Sequence, residues 1–180
     1  MPFTSVDQIL NYAFVAESRK INPDIAYELI SRSTSPDSLS QEEFIADGIM
    51  LKARAMRSLP MLQRHAIALY YRRPVDPGLQ EMVEYSLYVL ADGIQRERKN
   101  RIDSFFIIDM AREWSPYNRS HHTLEWWSDH LNKPLGTVKS WASDKRPDQK
   151  SVKYLIQLWY DAAIQELEYV YREAGVYEAA

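Results

Sequence analysis

Residues 124–143 read Leu124-Glu125-Trp126-Trp127-Ser128-Asp129-His130-Leu131-Asn132-Lys133-Pro134-Leu135-Gly136-Thr137-Val138-Lys139-Ser140-Trp141-Ala142-Ser143. Two short segments with helical apolar spacing flank Asn132-Lys133-Pro134. Two helices that meet through a tight turn need apolar residues where they touch, a small residue where they cross, and a turn residue that tolerates a left-handed backbone. Leu124, Trp127 and Leu131 supply the inner face of the first helix, Ser128 the crossing position and Asn132 the turn. Pro134 suits an early helical position, and Val138 and Trp141, three residues apart, anchor the second helix on the first. Left outward are Thr137, Lys139, Ser140 and Ser143, followed by Lys145 and Arg146. These hydroxyls and cations suit base edges and phosphates.

Working outward, the same helical period recurs almost throughout, and no segment reads as a strand. A first helix over 5–20 places Ile9, Leu10, Ala13 and Phe14 on one stripe, and Pro23 opens a second with Ile25, Leu29 and Ile30. Ser40 and Glu43 have capping-box spacing for a third, which carries Ile45, Ile49 and Met56. Pro60 opens a fourth with Leu62, Ile67, Leu69 and Tyr70, ended before Pro74. A longer helix over 77–99 carries Met82, Tyr85, Leu90 and Ile94, and another covers 102–114. After a polar loop at 115–121 and the helix pair, a last helix over 149–174 bears the stripe Ile156, Tyr160, Ile164, Leu167 and Tyr171, flanked by Leu155 and Trp159. The expected fold is all-α: a helical bundle domain over 1–115, then a helix-turn-helix domain with a long closing helix over 122–180. That stripe either packs on the N-terminal helices or pairs two copies into a homodimer, the alternative being a monomer. Ala46-Asp47-Gly48-Ile49 recurs as Ala91-Asp92-Gly93-Ile94, either by chance or as a remnant of duplication.

The 180 residues are 46% hydrophobic, ample for a core, and include no Cys, which excludes disulfide and Cys-zinc frameworks. The apolar run Phe105-Phe106-Ile107-Ile108 is bounded by Asp103 and Asp109, so no stretch approaches a membrane span. A soluble, cytoplasmic protein is expected. The net charge of -3 argues against nucleic acid only as a total. Residues 51–75 hold six bases (Lys52, Arg54, Arg57, Arg64, Arg72, Arg73) and no acid; 94–101 hold four bases against Glu97; 133–153 hold six bases against Asp144 and Asp148. Charge acts over about a Debye length, roughly 8 Å in physiological salt, so local blocks matter more than the sum. One block surrounds the second helix of the pair: Lys133, Lys139, Lys145, Arg146, Lys150 and Lys153. The 51–75 block reads either as a further DNA or protein surface or as solvated helix faces paired with acidic neighbours.

Val138-Lys139-Ser140-Trp141-Ala142-Ser143-Asp144-Lys145-Arg146-Pro147 resembles the end of a helix-turn-helix of the Cro and phage-repressor type, in which the recognition helix ends in Trp, a small-residue turn, a basic pair and Pro. Asn132 stands where that family commonly has Gly, and Asp144 at another turn position that is often Gly. A longer resemblance is to the Q-type late-gene antiterminators of lambdoid phages. It lies in residues 46–73, with Leu59-Pro60 and Ala66-Ile67-Ala68-Leu69-Tyr70-Tyr71, ahead of a helix-turn-helix and a closing helix. About fifty residues separate Arg73 from the helix pair here, and the zinc-binding Cys of some members are absent. The resemblance implies a phage-derived protein that binds promoter-proximal DNA and RNA polymerase.

His121, His122 and His130 with Glu125 match no metal-ligand spacing, and no Walker loop, GxSxG or GxGxxG occurs. Neither a catalytic constellation nor a cofactor site is expected, so the chain reads as a non-enzyme. Trp127, Trp141 and Trp159 fit packing roles, whereas Tyr70, Tyr71, Trp126 and Tyr154 stay open between packing and stacking on bases. The expected function is sequence-specific binding of double-stranded DNA in transcription regulation, with antitermination the sharpest version. Thr137, Lys139 and Ser140 would face the major groove, with Ser143 beside them. Lys133, Lys145, Arg146 and Lys150 would hold phosphates, and Arg54, Arg57, Arg64, Arg72 and Arg73 would touch flanking DNA or polymerase. The competing readings are a helical module docking an acidic protein and a small DNA-packaging subunit of terminase type.

Overall fold

The computed structural model describes residues 3–21 and 40–176, and within them the chain is all-α. The elements are α1 (Val6–Ile21), α2 (Gln41–Ser58), α3 (Met61–Tyr71), α4 (Pro77–Glu97), α5 (Ser104–Trp114), α6 (Leu124–His130), α7 (Leu135–Ala142) and α8 (Val152–Glu173), with a 3-10 turn at Pro147–Gln149 before the last. The helix expected from Pro23 lies outside the described residues. Start signals act where the sequence places them. Ser40 and Glu43 form the reciprocal capping box of α2, Asp76 caps α4 ahead of Pro77, Asp103 caps α5 and Thr123 caps α6. The last helix begins at Val152 rather than near Gln149, because Lys150 adopts a left-handed φ of 46° that no helix continues through.

Helix α8 is the common wall of two apolar clusters. Its C-terminal half places Ala163, Leu167 and Tyr171 among Ile9, Leu10, Phe14, Ala55 and Ile67 of α1 to α3. Its N-terminal half places Val152, Leu155 and Ile156 among residues of α4, α5, α6 and α7. The stripe read from the sequence is thus covered within the chain, with Tyr160 and Ile164 half-buried along it and the Tyr171 hydroxyl donating to the Leu51 carbonyl at 3.0 Å. Both Ala-Asp-Gly-Ile copies lie inside helices, and in each the glycine sits where another helix or its side chain approaches.

A carboxylate is sealed into the N-terminal cluster. Glu17 of α1 is buried and accepts from Lys52 of α2 and from Arg72 at the end of α3, at 3.2 Å for both Arg72 nitrogens. Burial alone would raise the Glu17 carboxyl, yet Arg72 and Lys52 together hold it below its ordinary value. A carboxyl depressed in the folded state stabilises fully above its unfolded pKa, and that contribution drains away as pH falls below it. Glu17→Gln is therefore expected to cost about 3 kcal/mol at pH 7, since it strands two cations without their carboxylate. Urea titrations at pH 7 and in the acid range below the ordinary Glu value check this: the gap between wild type and variant should shrink with acid, and a pH-independent gap would contradict the ion-pair explanation.

Candidate nucleic-acid interface

Asp109 positions the helix pair. It lies in the middle of α5 and is 2% exposed. One of its oxygens accepts the His121 backbone N–H; the other accepts the His122 backbone N–H at 3.1 Å and the Trp127 indole N–H at 2.9 Å. The loop entering α6 and the inner face of α6 are thus fastened to one carboxylate. Trp127 is buried with its ring edge-on to Phe106, and Leu124 and Leu131 pack beside it. Asn132 takes a φ of 48°, as its place in the turn requires, and the Ser128 hydroxyl donates to the Lys133 carbonyl at 2.7 Å, closing that turn. Helix α7 then buries Val138 and Ala142 and rests Trp141 on Phe106.

With that face buried, α7 turns Lys139 to solvent and leaves Thr137, Ser140 and Ser143 half-exposed, while Lys133, Lys145, Arg146 and Lys150 are exposed around it. All eight residues singled out in the sequence therefore gather around one helix. Two have partners. The Ser140 hydroxyl donates to the Gln149 side chain, which ties α7 to the 3-10 turn, and Lys150 pairs with Glu97 at 2.9 Å. That ion pair is half-exposed and worth little in water, so Lys150 exchanges readily onto another anion. The segment carrying Lys145 and Arg146 is held at both ends: the Ser143 carbonyl accepts the Tyr154 N–H, and the Arg146 carbonyl accepts the Ser151 hydroxyl at 3.1 Å.

Arg98 belongs beside these residues, although no role for it is read from the sequence. It reaches from the end of α4 to donate to the carbonyls of Gln149 and Lys150, both at 2.7 Å. This brings the basic block 94–101, with Lys99 and Arg101 exposed, beside the turn that follows α7. The signal available in the sequence was the block's charge alone; nothing local indicated its neighbour fifty residues on.

The 51–75 block does not form one surface. Arg72 is buried on Glu17 and is withdrawn from any exposed basic patch, because a guanidinium at that depth needs its carboxylate. Arg54 and Arg57 are exposed and line a groove that α2 shares with Val170 and Val176. Arg64 lines a different cavity, and Arg73 sits over the Tyr117 ring, 4.7 Å from its centroid. Two of the histidines sandwich Trp126 in a stacked ladder on the outside of α6: His122 on Trp126 at 3.8 Å and Trp126 on His130 at 4.6 Å. Among the described residues no group of three or more His, Asp or Glu gathers as metal ligands. No described helix is long and apolar enough to cross a membrane.

In comparisons with known proteins, no family model, curated protein or solved structure matches the chain.

Proposed function

We propose that this chain is a sequence-specific double-stranded DNA-binding regulator of transcription that reads the major groove with α7. The observation that carries the reading is the division of α7: Val138 and Ala142 are buried, while Thr137, Lys139, Ser140 and Ser143 face outward amid Lys133, Lys145, Arg146 and Lys150. Lys139 and the hydroxyls would reach base edges, and the surrounding cations would hold phosphates. Lys99, which lines a hollow with Trp141 and Lys150, would extend the same basic surface. Five or so phosphate contacts give a plot of log affinity against log salt with a slope of roughly -4 to -5. The double variant Lys139→Ala, Arg146→Ala should lower affinity for a site selected from a random duplex library by about 30-fold or more, and reduce that slope by about 1 to 2. Unchanged affinity in the double variant, measured by fluorescence anisotropy, would remove the assignment.

Within this reading the sharpest version is a cytoplasmic, phage-derived antiterminator that also contacts RNA polymerase. A specific feature supports a protein contact. The groove holding Arg54 and Arg57 sets these two exposed cations against the one carboxylate of Asp47, beside Met50, Leu51, Val170 and Val176. Such a mixture suits an acidic amphipathic segment of a partner protein, which is also what a purely protein-docking function would use.

A further inference from the structure

A cavity of about 450 Å³ lies between α2, α3 and α4, away from α7. Its size falls in the range of small-molecule sites, roughly 300–1,000 Å³. One wall is cationic. Lys52 and Arg72 line it while sharing the single buried carboxylate of Glu17, so at that depth two cations face one anion among the described residues. Arg64 stands at the mouth, its Nε fixed by the Leu59 carbonyl at 2.7 Å. Apolar groups lie among and opposite these cations: Met56 and Ala68 on the same helices, α2 and α3, and Met82 and Tyr85 across on α4, where they are 42% and 64% exposed. His65 bridges the walls, with its Nδ1 3.1 Å from the Ser86 hydroxyl and its ring edge-on to Tyr85. Burial, reinforced by Arg72 and Arg64, lowers the His65 pKa, so the ring adds no charge near neutral pH. The rim carboxylate of Glu81 also lines the cavity. Three cations against Glu17 and Glu81 leave an excess of one.

We propose that this cavity binds a small organic monoanion, a carboxylate head on a flat apolar body, with the head at Arg64, Arg72 and Lys52 and the body between Met56, Met82 and Tyr85. The excess of one positive charge favours a monoanion over a dianion. The planar fork of Arg suits a carboxylate, and a Met and Tyr wall suits an aromatic ring.

The full-length protein is titrated by calorimetry with 3-phenylpropionate and with its neutral isostere 3-phenylpropionamide. Saturable binding of the acid is expected, with the amide weaker by about tenfold or more. Arg64→Gln removes the cation at the mouth together with its bond to the Leu59 carbonyl, and Met82→Glu places a like charge on the α4 side; both residues are exposed, so both variants should stay folded, which the unfolding midpoint of each checks. Each variant should weaken the acid by about five- to tenfold. Equal binding of acid and amide, unchanged binding in both variants, or no saturation of the acid up to about 10 mM would overturn the proposal.

Discussion

Gly48→Ala is expected to destabilise the protein by about 2–3 kcal/mol, whereas Gly93→Ala should change stability by less than about 1 kcal/mol. The two glycines occupy identical Ala-Asp-Gly-Ile tetrapeptides and both lie in helix interiors, where Ala gains about 1 kcal/mol over Gly from helix propensity. What differs is the neighbour. A Cβ on Gly48 would stand 2.3 Å from the Cβ of Ala16, with the Tyr12 carbonyl oxygen at 3.5 Å and the Ala13 Cα at 3.6 Å. A Cβ is fixed to its backbone and cannot turn away, so α1 and α2 must separate along a buried seam that includes Ala13, Ala16 and Ala55. A Cβ on Gly93 would instead meet side chains only: the Leu62 Cδ2 and Cδ1 at 2.5 and 3.1 Å, the far end of a half-buried side chain that can change rotamer, and the edge of the half-buried Trp159 ring at 3.3 Å, which needs to give by a few tenths of an ångström. Urea unfolding of both variants checks the contrast. Equal losses would show that α1 yields as easily as a leucine methyl group.

Asp109→Ala should cost about 3 kcal/mol or more, because three N–H donors lose the one carboxylate they share. Asp109→Asn keeps the size yet exchanges one acceptor oxygen for an NH₂ group, which then faces either the His121 N–H or the pair from His122 and Trp127. It should therefore rescue little, and a loss of about 2 kcal/mol is expected. With total stabilities of about 5–15 kcal/mol for domains of this kind, either variant consumes a large share. The tryptophan emission should shift red at low urea in both variants, since Trp127 loses its indole partner and the entry to α6 loosens before the α1 to α3 cluster opens. If Asp109→Asn unfolds with wild-type midpoint and emission, the carboxylate is not what fastens the helix pair.

Much of the local structure was legible without coordinates. The Ser40 and Glu43 spacing became a capping box, Asn132 took its positive φ, Val138 went inside, and the α8 stripe went into the core. Each depends on residues within about one helical turn, or on a periodicity that repeats along one element. The charge blocks were legible only as numbers. Their arrangement was not, because Glu17 lies 55 residues from Arg72 and Arg98 lies 51 from Gln149, and no local rule sets such pairings. Arg72 accordingly read as surface and proved buried. Asp109 read as a mere interruption of an apolar run; its signal was an acid in mid-helix between Ile108 and Met110, where only a buried set of donors makes a carboxylate tolerable.

The residues around 124–143 show where that boundary falls. Alternation of apolar and polar side chains settled that two helices form there, which side of each is inner, and that the turn is made at Asn132, because these follow from backbone sterics and from one helix's own period. Which cations surround α7, which partner the Ser140 hydroxyl takes, and which carboxylate fastens the pair to α5 came only with tertiary structure. Electrostatic and hydrogen-bond partners are chosen by distance in space, and packing through the shared wall of α8 sets those distances.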